Sequence, residues 1–157
     1  MTETDDRARI VGINHVALAV GDADEAEAFY TDLFDCEIRG RSAGAVFLDM
    51  GDQFLALSES NDAGETTDGH RHFGLVVDDP AAVERRLDDL GVKRLPGRGF
   101  DFRDPWGNRI QVVAYRDVQF TKADHVLDGM DRSDLEKSDS AIAELAEKGM
   151  APASDEE

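Results

Sequence analysis

Short, largely apolar segments over residues 13–20 and 71–78 have bulky side chains at every second position, and this period of two predicts β-strands. Each segment is followed by an aspartate suited to capping a helix and then by apolar residues at helical spacing. These helical positions are Ala26, Phe29, Tyr30 and Leu33 in the first case and Val83, Leu87 and Leu90 in the second. The pattern therefore predicts the same strand–helix pair twice.

The two strand–helix pairs belong to an internal repeat. A shift of 57 residues places His15–Val20 over His72–Val77, with seven identities in the twenty positions from the histidines onward. Three weaker strands follow each helix, and there a shift of 56 places Gly51–Leu55 over Gly107–Gln111. The sequence thus predicts an α+β fold of two tandem βαβββ units.

The repeat also sets the expected domain organisation. We expect an N-terminal tail (1–10), a repeat domain (11–116) with units at about 12–59 and 71–115, a polar linker (60–70) and an acidic C-terminal extension (117–157). The extension has one predicted helix, for which Ser133 and Glu136 form a capping-box pattern.

Strand alternation assigns a face to each candidate site residue. Bulky apolar residues of the first and last strands are expected to face the helices, which turns His15, His72 and Gln111 to the opposite face. The two histidines and the glutamine are therefore predicted to share one concave surface. The other residues expected to line this surface are Ala17, Phe47, Leu55, Leu57, Val113 and Tyr115.

The chemistry of this residue set favours a metal site. Two imidazoles and one oxygen donor suit Fe(II), Mn(II), Ni(II) or Zn(II) with positions open for a substrate. The alternative is that the histidines bind a ligand or water directly, without a metal. Because both histidines occupy the same position of a duplicated unit, the metal is the favoured interpretation. The mostly apolar lining predicts a small organic or aromatic substrate.

The duplicated unit, together with Ile13–Leu18, His72–Val77 and Asp104–Gln111, resembles the vicinal oxygen chelate superfamily. This superfamily includes glyoxalases, bleomycin-resistance proteins, extradiol dioxygenases and thiol-transfer fosfomycin-resistance enzymes. The resemblance covers about residues 10–116. It implies a curved, cup-like mixed sheet with helices outside and a divalent metal inside the cup.

The resemblance also implies ligand positions and a function. The matching positions are His15, Leu55, His72 and Gln111, where the superfamily usually has Glu at the last and often Glu or Gln at the second. The implied function is that of a glyoxalase- or dioxygenase-type metalloenzyme, whose substrate chelates the metal through vicinal oxygens. The alternative is a metal-free binding protein that resembles bleomycin-resistance proteins and sequesters its ligand.

Composition narrows the range of partners. The 157 residues include 35 acidic and 17 basic side chains, and this net charge of −18 disfavours binding to nucleic acids or anionic membranes. No apolar run approaches the ~20 residues of a membrane helix. The single cysteine, Cys36, excludes an internal disulfide and fits a reducing cytoplasm.

The kinds of charged residue carry a second expectation. Asp outnumbers Glu and Arg outnumbers Lys, which resembles halophilic proteins of salt-accumulating archaea. The expected partner is a small-molecule substrate. Members of the resembled superfamily form the cup either within one chain or across a homodimer, and both arrangements stay open at this point.

Overall fold

The computed structural model describes residues 13, 15–64, 72–96 and 100–153. It has an α+β architecture, as the sequence predicts. The strands are β1 (His15–Val20), β2 (Ile38–Ser42), β3 (Ala45–Asp49), β4 (Phe54–Glu59), β5 (Phe73–Val77), β6 (Phe100–Arg103) and β7 (Arg109–Ala114). The helices are α1 (Ala23–Leu33), α2 (Pro80–Leu90), α3 (Asp124–Gly129) and α4 (Asp139–Glu147), with a 3-10 turn over Tyr115–Asp117. Within these residues, no helix has the length and apolar character needed to cross a bilayer.

The strands form two mixed sheets that repeat one topology. Sheet A has the order β1-β4-β3-β2 and sheet B the order β5-β7-β6. In each sheet the first strand of the unit pairs in parallel with the last, and the remaining pairs are antiparallel. The first of the three strands predicted after the second helix, at about 92–95, is reduced in the described residues to one bridge between Leu95 and Asp101. The strand orders place β1 at one edge of sheet A and β5 at one edge of sheet B.

The first two helices begin where the sequence predicts. The Asp22 side chain accepts a hydrogen bond from the Glu25 amide at the start of α1, and Asp79 caps α2 in the same way. A cap of this kind contributes about 1 kcal/mol to helix stability. Gly91 ends α2 with a φ of 70°, a left-handed conformation that favours glycine.

One hydrophobic core is shared by both units. Its cluster includes helix-facing residues of sheet A, of sheet B and of both helices, among them Leu57, Tyr30, Leu87, Phe102 and Ile110. An ion pair between Arg86 of α2 and Asp32 of α1 (Nη2–Oδ1, 2.8 Å) joins the helices at the surface. Because the sheets cover this common core from their helix-facing sides, their other faces point away from it.

A buried hydrogen-bond network also joins the two units. The Tyr30 hydroxyl donates to Asp104 Oδ2 (2.9 Å), and Asn108 Nδ2 donates both to the same oxygen (2.8 Å) and to the backbone oxygen of Ala19 (2.9 Å). Burial and the neighbouring Asp104 carboxylate raise the pKa of Tyr30 well above its usual range. The Asp104–Asn108 turn therefore connects sheet B of the second unit to β1 and α1 of the first by hydrogen bonds.

The C-terminal extension contains two helices rather than the one predicted. The N-cap of α4 is Ser138, whose side chain accepts from the Ala141 amide (3.2 Å), so the capping box predicted at Ser133 and Glu136 is wrong. Both serines precede an apolar helical stripe, and only Ser138 lies directly before the helix. Leu145 of α4 is buried.

Lysines attach the extension to the rest of the protein. Lys137 Nζ donates to the backbone oxygens of Tyr115 (2.6 Å), Val118 (2.8 Å) and Phe120, and it lies 3.5 Å from the centroid of the Tyr115 ring. Lys122 pairs with Asp52 in the β3–β4 turn. The extension thereby contacts both the first unit and the end of the second.

Candidate functional site

The exposed face of β1 carries His15, as the alternation predicts. His15 and Ala17 are exposed, whereas Leu18 and Val20 are buried in the core. This face belongs to sheet A alone.

Two residues predicted to line the site lie on the opposite face. In the parallel pairing of β1 with β4, Leu55 lies opposite Val16 and Leu57 opposite Leu18. Residues opposite one another in neighbouring strands share a face. Leu55 and Leu57 are therefore helix-facing core residues, 2% and 0% exposed, and the prediction that they line the site is wrong. A slip of one residue in register reverses every side chain of a strand.

The register also corrects the repeat. Gln111 lies opposite Gly74 in sheet B, and the matching pair in sheet A is Ala56 opposite Ala17. The closing strands are thus related by a shift of 55 residues rather than 56. The counterpart of Gln111 in the first unit is Ala56, a side chain with no donor atom for a metal.

Aromatic rings surround His15 on sheet A. Phe54 lies opposite His15, and their rings stack with centroids 4.7 Å apart and planes 6° from parallel. Arg39 Cζ lies 4.5 Å from the Phe54 centroid, and the Phe47 ring contacts Phe54 edge-on at 5.8 Å. Phe47 pairs with Ala56 and so lies on the face predicted for it. Phe54 is not among the residues that the sequence predicts for this surface, because a slip of one residue in register put Leu55 in its place.

Sheet B places Gln111 and Val113 on the face of β5 that carries Gly74 and Val76. His72 is exposed directly before β5, and its position two residues before Gly74 predicts the same face. A Cβ added at Gly74 would meet no atom of the described residues within 4 Å. There is therefore open space beside Gln111.

A buried carboxylate lies next to Gln111. Asp101 of β6 is directly opposite Gln111 in the antiparallel pairing, which gives the two side chains the same face. Asp101 is only 4% exposed. Its Oδ2 accepts from Arg109 Nε (2.7 Å), and its Oδ1 is buried without a hydrogen-bond partner. The sequence contained a signal for Asp101, since it alternates with the apolar Phe100 and Phe102.

Tyr115 does not line the exposed face as predicted. The alternation of β7 ends before it, in the 3-10 turn, and Tyr115 is 6% exposed beneath the extension. Its hydroxyl accepts from the Lys122 amide (3.3 Å), and its ring contacts Phe120 edge-on. Tyr115 therefore anchors the extension.

A groove of about 710 Å³ runs along β1, at the edge of sheet A. Its lining includes Val16, His72, Phe73, Trp106 and Arg109. The groove joins the edge of sheet A to the start of sheet B, so that the edge strands of both sheets border the same space.

Trp106 and Cys36 have packing roles in this structure. A Cβ added at Gly21 would lie 2.3 Å from Trp106 Nε1, so that glycine lets the indole pack closely on the β1–α1 turn. Burial raises the pKa of the Cys36 thiol to about 11. Little of this thiol is the nucleophilic thiolate at neutral pH.

The predicted donors could hold a divalent cation if both sheets contributed to one site. Sheet A would supply the imidazole of His15, and sheet B would supply the imidazole of His72 and the amide oxygen of Gln111. These N and O donors suit the transition metals named above. Within the described part of a single chain, however, no group of three or more His, Cys, Asp and Glu side chains is placed to hold a metal ion.

The chain is similar to known proteins over the same region. Residues 12–112 match the family model described as the glyoxalase/bleomycin resistance protein/dioxygenase superfamily. The metallothiol transferase FosB of Bacillus licheniformis is 29% identical over 116 residues, which are 66% of this chain and 75% of FosB. The glutathione transferase FosA of Serratia marcescens is 26% identical over 110 residues, 64% of this chain and 78% of FosA.

Solved structures share the fold. FosX of Listeria monocytogenes, complexed with Mn(II) and sulfate, has a TM-score of 0.58 at 19% identity, covering 78% of this chain and 99% of FosX. FosX of Mesorhizobium loti has a TM-score of 0.56 at 19% identity, covering 66% of this chain and 91% of that one. The matched family model covers most of the chain, including His15, His72 and Gln111. The chain belongs to the glyoxalase/bleomycin resistance protein/dioxygenase superfamily.

Proposed function

We propose that this protein is an enzyme dependent on a divalent metal, held by His15, His72 and Gln111, which acts on a small organic substrate with two neighbouring oxygens. The observation that supports the proposal most is the register of sheet B, which pairs Gln111 with Gly74. His72 lies two residues before Gly74, so the alternation of the strand predicts the same face for it. His15 occupies the matching position of the other unit. The Mn(II) complex of FosX makes Mn(II) the first metal to test among Fe, Mn, Ni and Zn.

The proposed site is shared between two chains of a homodimer. The faces that carry His15 and His72 both point away from the core that the two sheets share. Both β1 and β5 are edge strands, available for a second chain to lie against. His15 of one protomer would then face His72 and Gln111 of its partner. A twofold axis would give two equivalent sites in each dimer.

The residues of the site have distinct proposed roles. A bound metal would polarise the substrate oxygens. The imidazoles of His15 and His72 provide nitrogen ligands, whereas Gln111 provides a neutral oxygen. Ala17 and Phe47 of one sheet and Val113 of the other give the substrate a largely apolar lining. The open space beside Gly74 admits it.

The residues also bear on the reaction class. A glyoxalase-type isomerase needs a base to move a proton between carbons. Position 56 is alanine and position 111 is glutamine, so neither can serve as that base. Thiol transfer moves no proton between carbons: the thiol sulfur would form a bond to a substrate carbon as the bond from that carbon to an oxygen breaks, and the thiol proton would pass to the released oxygen. The names of FosB and FosA both describe transferases, which supports this reaction class.

Metal analysis tests the proposal. We expect protein purified without chelators to contain about one divalent ion per chain, and His15→Ala and His72→Ala to lose it. His125→Ala is the matched control, because His125 lies on α3 in the extension. A wild-type protein that neither contains a metal nor binds added Mn(II) contradicts the proposal.

The aromatic surface around His15 supports a second candidate, a metal-free binding protein that sequesters a flat ligand. Phe54, Phe47 and Arg39 form a stacking surface that needs no metal. In that case a planar aromatic ligand would bind to chelator-treated protein, and Phe54→Ala would abolish binding while His72→Ala would not.

A further inference from the structure

The buried oxygen of Asp101 is the one buried side-chain donor or acceptor atom in the described part of the chain that lacks a hydrogen-bond partner. Buried polar atoms are nearly always paired, and an exception calls for an explanation such as a missing ion. The other carboxylate oxygen of Asp101 is held by Arg109 Nε at 2.7 Å. The carboxylate is therefore fixed by one oxygen, while the other is left over for a ligand.

The position of this oxygen connects it to the proposed site. Asp101 lies directly opposite Gln111, and such pairs have Cβ atoms about 5 Å apart on the same face. The backbone amide of Asp101 donates to the Leu95 oxygen, and the Leu95 amide donates to the Asp101 oxygen. These two hydrogen bonds, on the other side of β6 from β7, hold the strand in register. A carboxylate on the neighbouring strand thus lies within reach of a cation bound to Gln111.

We propose that Asp101 Oδ1 is the anionic ligand of the divalent cation, supplying from β6 the charged oxygen that Gln111 of β7 lacks. This inference rests on the proposed metal site. Arg109 would then act behind the ligand, orienting the carboxylate through Oδ2. Metal-binding carboxylates commonly have such a hydrogen-bonded support.

Mn(II) titration of the full-length protein, followed by the electron paramagnetic resonance signal of free Mn(II), tests the inference. We expect Asp101→Asn to raise the Mn(II) dissociation constant about 10- to 100-fold, as loss of a ligand or its support does. Asp89→Asn is the matched control, since its carboxylate is exposed on α2. It removes the same charge without touching the site and is expected to leave the constant unchanged.

Two further variants separate a ligand from a structural residue. Asp101→Asn combined with Gln111→Glu returns a carboxylate to the site and should restore most of the affinity, a rescue that a purely structural role would not produce. Asp101→Asn combined with Arg109→Gln removes both charges, so that no lone guanidinium affects folding. Its affinity for Mn(II) should stay low while its thermal midpoint stays near that of the wild type.

The outcomes distinguish this inference from the proposed function. If Asp101→Asn, alone and combined with Arg109→Gln, binds Mn(II) as well as the wild type does, Asp101 is not a ligand and the metal site of His15, His72 and Gln111 stands. If wild type does not bind Mn(II), the proposed site and the inference both fail.

Discussion

The exposed faces of sheets A and B differ in chemistry although they come from one repeated unit. On sheet A, His15 stacks on Phe54 and has alanines beside it at positions 17 and 56. On sheet B, one face carries Gln111, Asp101 and Arg109, and strand alternation predicts that His72 lies on the same side. The two copies share a histidine at one position and differ around it, so that one face is apolar and the other polar. Four substitutions test this contrast.

The largest expected effect comes from the face assignment of β4. Leu57→Ala should lower the free energy of unfolding by about 2–5 kcal/mol, because it opens a cavity in the shared core. Ala17→Ser, on the exposed face of β1, should change it by about 0.5 kcal/mol or less. Urea denaturation measures both. Similar values for the two variants would contradict the assignment.

The next effect concerns the extension that bridges the two units. Lys137→Met should lower the free energy of unfolding by about 1–3 kcal/mol, since three backbone carbonyls lose a charged donor. Lys93→Met, for which the described residues show no hydrogen bond or ion pair, serves as the control. Limited proteolysis should cut the Lys137→Met extension faster than the rest of the chain. Equal rates for both variants would show that Lys137 does not anchor it.

A smaller effect is expected on the polar face of sheet B, where Gln111 lies. Gln111→Glu should tighten Mn(II) binding about 10-fold, because a charged oxygen replaces a neutral one. Isothermal titration calorimetry gives the constant directly. A weaker or unchanged constant would mean that residue 111 does not contact the metal.

The smallest effect is expected on the exposed face of sheet A, where Phe54 stacks on His15. Phe54→Leu keeps an apolar residue but removes the ring stacked on His15, a contact worth about 0.5–1.5 kcal/mol. We expect a loss of Mn(II) affinity of roughly threefold from looser orientation of the imidazole. Phe29→Leu on α1 is the control, as its ring packs against the core. A larger loss in the control would assign the effect to general destabilisation.

The second unit was readable from sequence because its strands alternate clearly. In β7 the polar Arg109 and Gln111 alternate with Ile110 and Val112, which fixes their faces. The first unit offered no such signal. Phe54–Leu57 is a run of four apolar residues, and three of them are buried, so alternation could not decide which ones face the helices.

Tertiary contacts account for the other errors. Tyr115 continues the apparent alternation of β7, but the backbone turns there and the extension covers its ring. The face of Asp101 could have been predicted from the sequence, because Asp101 lies between two apolar residues, Phe100 and Phe102. What no sequence pattern could give is its unpaired oxygen, which depends on where Arg109 places its guanidinium.

Mixing two inactive variants tests most directly that each site takes His15 from one chain and His72 with Gln111 from another. His15→Ala and His72→Ala chains would be unfolded together in equal amounts, refolded and assayed for bound Mn(II). Random pairing makes about half of the dimers mixed, and each mixed dimer regains one intact site, so about a quarter of the wild-type metal content should return. If dimers exchange chains but no metal binding returns, the shared site is contradicted.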